Sequence, residues 1–267
     1  MERNEAMHAS AVARNFKKTL LLWGALPTSR AEERGPCVFV STGTAIPDQN
    51  YAYSSGEEDA EENVLRSARF FTGQGMPFTW WFPPGTRGER FRRALEERGM
   101  PERCAPPAMF MALHASGDRP QLPSECAVRR AISPAEAGEW ARSSLEGFGS
   151  GPEHQDSFSA FCSSLATPPF AESFRLLTLR VGGNPGATAL LSLTEGVAGI
   201  YYFSVLPAFR RRGLGRYLLS ETLEEARRSG CRTAVLQASP MGYPLYESAG
   251  FAACGRFTVH SADPDAC

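Results

Sequence analysis

Lysine is almost missing from this sequence, since only Lys17 and Lys18 stand among its 28 basic residues. Long apolar runs are missing too: none approaches the roughly 18 residues of a membrane span, and residues 20–23 are too few for a signal-peptide core. Net charge is nearly missing, at −1 with both halves close to balance. We therefore expect a cytoplasmic protein that binds neither nucleic acid nor membranes and recognises any phosphate only locally.

Metal-ligand patterns are also missing. The seven cysteines form no CxxC or CxxH pair, and the four histidines show no ligand spacing, so no metal site is expected. The odd number of cysteines leaves at least one thiol unpaired, and reduced thiols are the simpler interpretation. Cys162 lies on a predicted helix with Phe158 and Phe161, which favours burial over a nucleophilic role.

The chain length of 267 residues allows one large domain or two medium ones. The segment HASGDRPQLPSE, residues 114–125, has the Gly, Pro and Ser content of an interdomain connection. We place a boundary near residue 118, which gives domains of residues 1–118 and 119–267. The first half is predicted to contain helices over residues 6–23, 57–72 and 89–99 and strands over PCVFVS, NYAYSS, PFTWWFPP and PAMFMAL.

The second half has the clearer pattern. SPAEAGEW opens a helix with Ser133 as N-cap, Pro134 at the first helical position and Glu136 completing a capping box. SFRLLTLRV and ATALLSLT alternate around GGNPG and predict an antiparallel hairpin, and VAGIYYFSV follows after a tight turn at Glu195 and Gly196. The remaining elements are predicted as a strand at CAVRRAI, a helix at QDSFSAFCSSLA, a strand at RTAVLQAS, a short helix at YPLYESAG and a final strand at FAACGRFTVH.

The stretch LPAFRRRGLGRYLL, residues 206–219, opens an amphipathic helix directly after a predicted strand. Helix starts leave amide groups unpartnered and attract anions, and Gly213 and Gly215 carry no side chain that would keep a phosphate from those amides. A solvated basic turn or a nucleic-acid patch is the alternative interpretation. The sequence contains no GxxxxGK[ST], which excludes a Walker phosphate-binding loop. It does not match the Rossmann GxGxxG pattern either, because Leu218 stands where the third glycine would be.

Two motifs in this half resemble one family. Arg210-x-x-Gly213-x-Gly215 resembles motif A of the GNAT superfamily of acyl-CoA transferases, and PLYESAGF, residues 244–251, resembles the family's LYxxxGF segment. The resemblance covers roughly residues 126–259. It implies an α/β fold with a mixed sheet, and acetyl-CoA (coenzyme A) as co-substrate.

The resemblance also implies a coenzyme site. The amides of residues 211–216 would hold the pyrophosphate, and the backbone of Phe203 and Val205 would pair with the pantetheine arm beside a bulge in that strand. Ser239 stands where many relatives carry an asparagine that touches the coenzyme. The implied cofactor-binding set is Phe203, Ser204, Val205, Arg210, Arg211, Arg212, Gly213, Leu214, Gly215, Arg216 and Ser239.

Tyr246, in LYESAGF, resembles the family's general acid, which would protonate the departing thiolate; a tyrosine that only packs in the core is the alternative. By the same resemblance, a backbone N–H near Val205 would stabilise the oxyanion. No general base is assignable, because Glu195, Tyr201 and Tyr202 are more easily explained as structural residues.

The N-terminal half resembles the reduced GNAT-like half of tandem proteins of this family. It lacks R-x-x-G-x-G, and PPGTRGERF is the nearest substitute, so no coenzyme is expected there. The resemblance implies an N-acetyltransferase that transfers an acyl group to a primary amine, of a small molecule or peptide, in a ternary complex. The alternatives are a non-catalytic acyl-CoA sensor and, less favoured by the balanced charge, an aminoacyl transferase acting on charged tRNA.

Overall fold

The structure, a computed structural model, describes residues 2–86, 88–113, 124–264 and 266, with side chains from residue 5 onward. The predicted boundary near residue 118 lies outside the described residues. The first part of the chain forms α1 (Glu2–Gly24), β1 (Arg30–Arg34), β2 (Cys37–Ser41), β3 (Asn50–Ser54), α2 (Ala60–Thr72), β4 (Thr79–Phe82), α3 (Glu89–Glu96), β5 (Glu102–Cys104) and β6 (Pro107–Ala112). The second part forms β7 (Cys126–Arg130), α4 (Pro134–Phe148), α5 (Gln155–Leu165), β8 (Phe174–Val181), β9 (Asn184–Thr194), β10 (Val197–Val205), α6 (Leu214–Arg228), β11 (Thr233–Gln237), α7 (Tyr243–Ser248), β12 (Ala252–Arg256) and β13 (Thr258–Ser261).

The chain divides into two compact units, and each is assembled from separated stretches. Unit 1 comprises Met1–Met109, Gln237–Tyr243 and Ala252–Cys267. Unit 2 comprises Phe110–Leu236 and Pro244–Phe251. Residues near the C-terminus therefore complete the unit that the N-terminus begins.

Unit 1 is built on a six-stranded sheet in the order β1-β2-β3-β4-β13-β5. Its neighbours are antiparallel except β3 and β4, which are parallel. Successive strand residues point to opposite faces, so Phe39 and Trp80 join the apolar cluster beneath α2 and α3. On the other face Phe16 of α1 makes edge contacts with Tyr51 and Tyr53 of β3. Trp80 therefore serves as a core residue.

Unit 2 contains the sheet run β11-β10-β9-β8-β7. The hairpin of β8 and β9 is confirmed, but its turn is only Gly182-Gly183, because Asn184 already pairs with Val181. The β9–β10 turn at Glu195 and Gly196 has positive φ at both residues, as a type I′ hairpin requires.

The capping box is confirmed at the start of α4. Ser133 Oγ accepts a hydrogen bond from Glu136 N, and the Glu136 carboxylate accepts from Ile132 N. These hydrogen bonds lower the pKa of Glu136.

The sequence expectation for the final strand was wrong. FAACGRFTVH forms two strands, β12 and β13, and β13 pairs with β4 and β5 in the sheet of unit 1. Strands β1 and β5 were not predicted. The sequence of β1, RAEER, is charged and largely exposed at the sheet edge, so it lacks the alternation of apolar residues that reveals a strand.

Cysteine chemistry differs from expectation at one position. Cys104 is disulfide-bonded, so the expectation of reduced thiols is wrong there. Five cysteines are free among the residues that the structure describes. Cys162 is fully buried, as its helix position predicted, and burial raises its pKa. Within the described residues, no helix is both long and apolar enough to cross a bilayer.

Candidate coenzyme and acyl-transfer site

Strand β10 carries an irregularity at its centre. Its register with β9 shifts between Tyr201 and Ser204, and Tyr202 adopts a left-handed φ of 46°. On its other side, the parallel pairing with β11 ends at Gly199 and Val235. The second half of β10 therefore leaves β11, and its outer backbone edge opens.

The backbone groups at this edge follow from the pairing with β9. Leu206 N donates to Gly186 O, and Ser204 stands opposite Thr188. Because hydrogen-bonding direction alternates along an antiparallel strand, the backbone groups of Phe203 and Val205 point away from β9, as the pantetheine prediction requires. Ser204 instead contributes a buried hydroxyl, 2.9 Å from Thr188 Oγ1.

The loop after β10 presents a row of amides. Arg211 has a φ of 62°, and Gly213, the N-cap of α6, has a φ of 76°. Arg216 N donates to Gly213 O, but within the part of the chain that the structure describes, the amides from Arg211 to Gly215 donate no hydrogen bond. Amides without partners at a helix start, with the positive end of the helix dipole, make an anion site.

Side chains leave this row of amides accessible. Leu214 is buried and anchors the helix start. The Arg211, Arg212 and Arg216 side chains form no ion pair with any described carboxylate, and the Arg212 guanidinium lies 5.4 Å from the centroid of the Phe209 ring. A Cβ at Gly215 would lie 3.4 Å from Leu245 Cδ2 and 3.6 Å from Val205 Cγ2.

Arg210 has a different role from its neighbours. Its Nε donates to Val205 O at 3.0 Å, and its Nη2 donates to Gly147 O at 2.8 Å. The guanidinium thus joins the end of β10 to the last turn of α4. Its side chain is committed to backbone carbonyls, so it positions the amide row instead of adding a mobile charge.

Gly147 explains how α4 comes so close to β10. A Cβ at Gly147 would lie 2.2 Å from Ser204 Oγ and 2.8 Å from Ser204 Cβ. These distances are too short for any side chain at position 147. The next residue, Phe148, makes an edge contact with Tyr202 at the bulge. Sequence reasoning missed this contact, although a glycine in the last turn of a helix is a signal of close backbone approach.

Tyr246 lies on α7 beside the open edge of β10. Its ring packs edge-on against Phe203 and Phe251, each 5.9 Å away between ring centroids. Burial raises the pKa of Tyr246, which keeps its phenol protonated throughout the neutral range. Its hydroxyl makes no hydrogen bond with any residue that the structure describes. The phenol is therefore a proton donor available to a neighbouring group.

Ser239 belongs to unit 1. Its Oγ accepts a hydrogen bond from Gly242 N at 3.1 Å, and its carbonyl accepts from Tyr243 N. This side chain already caps the turn that leads into α7. A coenzyme contact by Ser239 stays a prediction.

Comparison with known proteins identifies the family. The GNAT acetyltransferase domain model matches residues 87–243, more than half of the chain. This chain belongs to the GNAT acetyltransferase family. No protein with curated function matches the sequence.

Solved structures agree on the fold of this GNAT protein. A GCN5-related N-acetyltransferase from Kribbella flavida is 16% identical, with a TM-score of 0.68 over 92% of this chain and 94% of its own. A GCN5-related N-acetyltransferase from Sphaerobacter thermophilus is 18% identical, with a TM-score of 0.63 over 93% and 86%. A tandem GNAT protein from the clavulanic acid biosynthesis pathway is 14% identical, with a TM-score of 0.57 over 90% and 86%. The predicted tandem, mixed α/β GNAT fold is confirmed.

Proposed function

We propose that this protein is an N-acetyltransferase that transfers an acetyl group from acetyl-CoA to a primary amine in a ternary complex. Membership of the GNAT family supports acyl transfer in general. The observation that carries the finer proposal is the row of unpartnered amides from Arg211 to Gly215 beside the open edge of β10. When bound, the coenzyme would supply the activated acyl group.

In this proposal the residues of unit 2 divide the work. The amides from Arg211 to Gly215 hold the diphosphate, with positive charge from the neighbouring guanidinium groups. The backbone groups of Phe203 and the N–H of Val205, which point away from β9, orient the pantetheine arm of the coenzyme. The Val205 carbonyl does not bind this arm, because it accepts a hydrogen bond from Arg210 Nε.

Tyr246 is the proposed general acid. A phenol held neutral by burial gives its proton to the leaving thiolate. The attacking nitrogen loses one proton to solvent, and solvent returns a proton to the phenol at the end of the cycle. The acceptor must arrive as a neutral amine, which at pH 7 is a minor form of a lysine-like amine with a pKa of about 10.4. Product formation is therefore expected to rise with pH until the phenol begins to ionise.

The test replaces Tyr246 by phenylalanine and measures turnover against a panel of primary amines together with the dissociation constant of acetyl-CoA. General acid catalysis contributes about 10²- to 10⁴-fold, so kcat should fall within that range while coenzyme affinity changes less than about twofold. Phe251→Leu is the control, because it alters the packing around the phenol and keeps its hydroxyl. A wild-type protein that binds acetyl-CoA and acetylates no amine would instead be the non-catalytic sensor.

A further inference from the structure

Unit 1 contains a cleft that the proposed acyl transfer does not use. Its volume is about 640 Å³, within the range of small-molecule sites. One wall is α1, and the other is formed by the carboxyl ends of the parallel strands β3 and β4 with the loop after β4. Ligands of open α/β sheets commonly bind at the carboxyl ends of parallel strands.

Two cations face this cleft from neighbouring turns of α1. Arg14 and Lys17 are three residues apart, which places them side by side on the helix surface, where like charges repel. Residues 6–31 contain no acid, so no carboxylate lies within one helical turn of either cation on α1. Neither side chain forms an ion pair with a carboxylate among the described residues. Glu5 is the single acid in the lining, and it is exposed near Cys254.

The rest of the lining fits the body of an organic molecule. Pro83, Pro84, Ala9 and Ala13 supply apolar surface beside the cations. The Thr86 hydroxyl adds a hydrogen-bond donor in the loop after β4, whereas the Ser55 side chain already forms a hydrogen bond with Tyr53. A site with two cations, few acids and apolar walls favours a ligand with an anionic head and a small apolar body.

We infer that unit 1 binds a small organic anion, a carboxylate or a phosphate monoester, in the cleft between α1 and the ends of β3 and β4. Arg14 and Lys17 hold the anionic group, and the proline and alanine side chains contact its apolar part. This site is separate in sequence and chemistry from the amide row of unit 2. Unit 1, which lacks the coenzyme motif, thus has a ligand of its own.

The test is calorimetric titration of the full chain with phenyl phosphate and with benzoate, which distinguishes the two kinds of anionic head. The double variant Arg14→Gln/Lys17→Gln should weaken binding of the preferred probe at least about tenfold, since each lost charge-assisted hydrogen bond contributes strongly. Glu5→Gln should strengthen binding by removing the opposing charge. Ala9→Trp, which fills the cleft without changing its charge, should abolish binding.

Two controls locate the site. Arg92→Gln/Arg93→Gln removes two exposed cations from α3 and should leave the affinity unchanged. Arg212→Gln/Arg216→Gln removes one cation from the loop after β10 and one from the first turn of α6, and it should also leave the affinity unchanged. A loss of binding in the Arg212/Arg216 variant but not in the Arg14/Lys17 variant would overturn the inference, as would the absence of binding of both probes at about 10 mM. Neither result bears on acetyl-CoA binding, which is measured separately.

Discussion

The two units use the same strand-helix-strand arrangement with opposite chemistry. In unit 1, β3 leads into α2 and pairs in parallel with β4; in unit 2, β10 leads into α6 and pairs in parallel with β11. The entry to α2 carries Glu57, Glu58 and Asp59, followed by two more acids in its first turn. The entry to α6 carries four arginines and two glycines. The first entry repels a phosphate, and the second attracts one.

The strands differ as well. The register of β3 with β4 continues to Tyr53, near the end of the strand, whereas β10 leaves β11 after its third residue, Gly199. Under the proposed function, the comparison indicates that a coenzyme site requires both an opened strand edge and an unpartnered, basic helix start. Unit 1 has neither at this place, although its fold provides the same frame.

The largest expected effect comes from Gly213→Val. Its φ of 76° disfavours a side chain and should cost about 1–2 kcal/mol of stability, and the branched Cβ obstructs the amide row. Losing several charge-assisted hydrogen bonds should weaken acetyl-CoA binding by about 100-fold or more. The control is Gly230→Val, with a φ of 80° and no atom within 4 Å of an added Cβ. It should lose similar stability and keep its affinity; equal losses of affinity in both variants would contradict the assignment.

A smaller effect is expected from Arg210→Met, which removes both hydrogen bonds to backbone carbonyls and keeps the apolar stem. Acetyl-CoA affinity should fall about tenfold, because two bonds that hold the loop are lost. Arg216→Met removes a charge from the adjoining first turn of α6 without disturbing a described side-chain hydrogen bond. If Arg210 positions the loop, Arg210→Met should lose clearly more acetyl-CoA affinity than Arg216→Met. Equal losses in the two variants would mean that Arg210 acts only as a charge.

The parts of the candidate site that have a signal in their own stretch of sequence could be predicted, and the parts that depend on distant residues could not. The helix start after β10 could be predicted from Gly213, Gly215 and the arginines between Pro207 and α6. The role of Arg210 could not, because its partner Gly147 is 63 residues away along the chain and only packing brings them together. The bulge at Tyr202 was likewise expected only from the family resemblance, since a left-handed tyrosine has no local sequence signal.

The fold follows the same rule. Strands with alternating apolar residues, such as β8 and β9, were predicted from their own sequence. The destination of β13 was not, because its partners β4 and β5 lie more than 150 residues earlier and strand pairing over such a separation leaves no mark in either segment. The exposed edge strand β1 was missed for want of apolar residues.

A modest pH effect is expected from unit 1 alone. Burial lowers the pKa of His260, whose Nδ1 lies 3.2 Å from Met100 O, below its ordinary value of 6.5. The unfolded chain therefore binds the proton more readily, and the stability of unit 1 should be complete above pH 6.5 and decline as the pH falls below it. The free energy of unfolding, measured between pH 5 and 8, should show this slope (a window of about three units around the pKa of histidine). His260→Gln should flatten the slope; an unchanged slope would contradict it.

The smallest expected effect comes from reducing the charge difference between the entries to α2 and α6. Replacing Glu57 and Glu58 by glutamine removes two of the acids before α2, but the edge of β3 stays paired with β4. Calorimetry should still give one acetyl-CoA per chain. Appearance of a second coenzyme site would show that charge alone separates the units and that the opened strand is unnecessary.

The most direct measurement is a crystal structure of the protein with coenzyme A. The account predicts that the diphosphate oxygens lie about 2.7–3.2 Å from amide nitrogens between Arg211 and Gly215, with the pantetheine arm beside Phe203. A diphosphate bound elsewhere, with those amides facing only water, would contradict it.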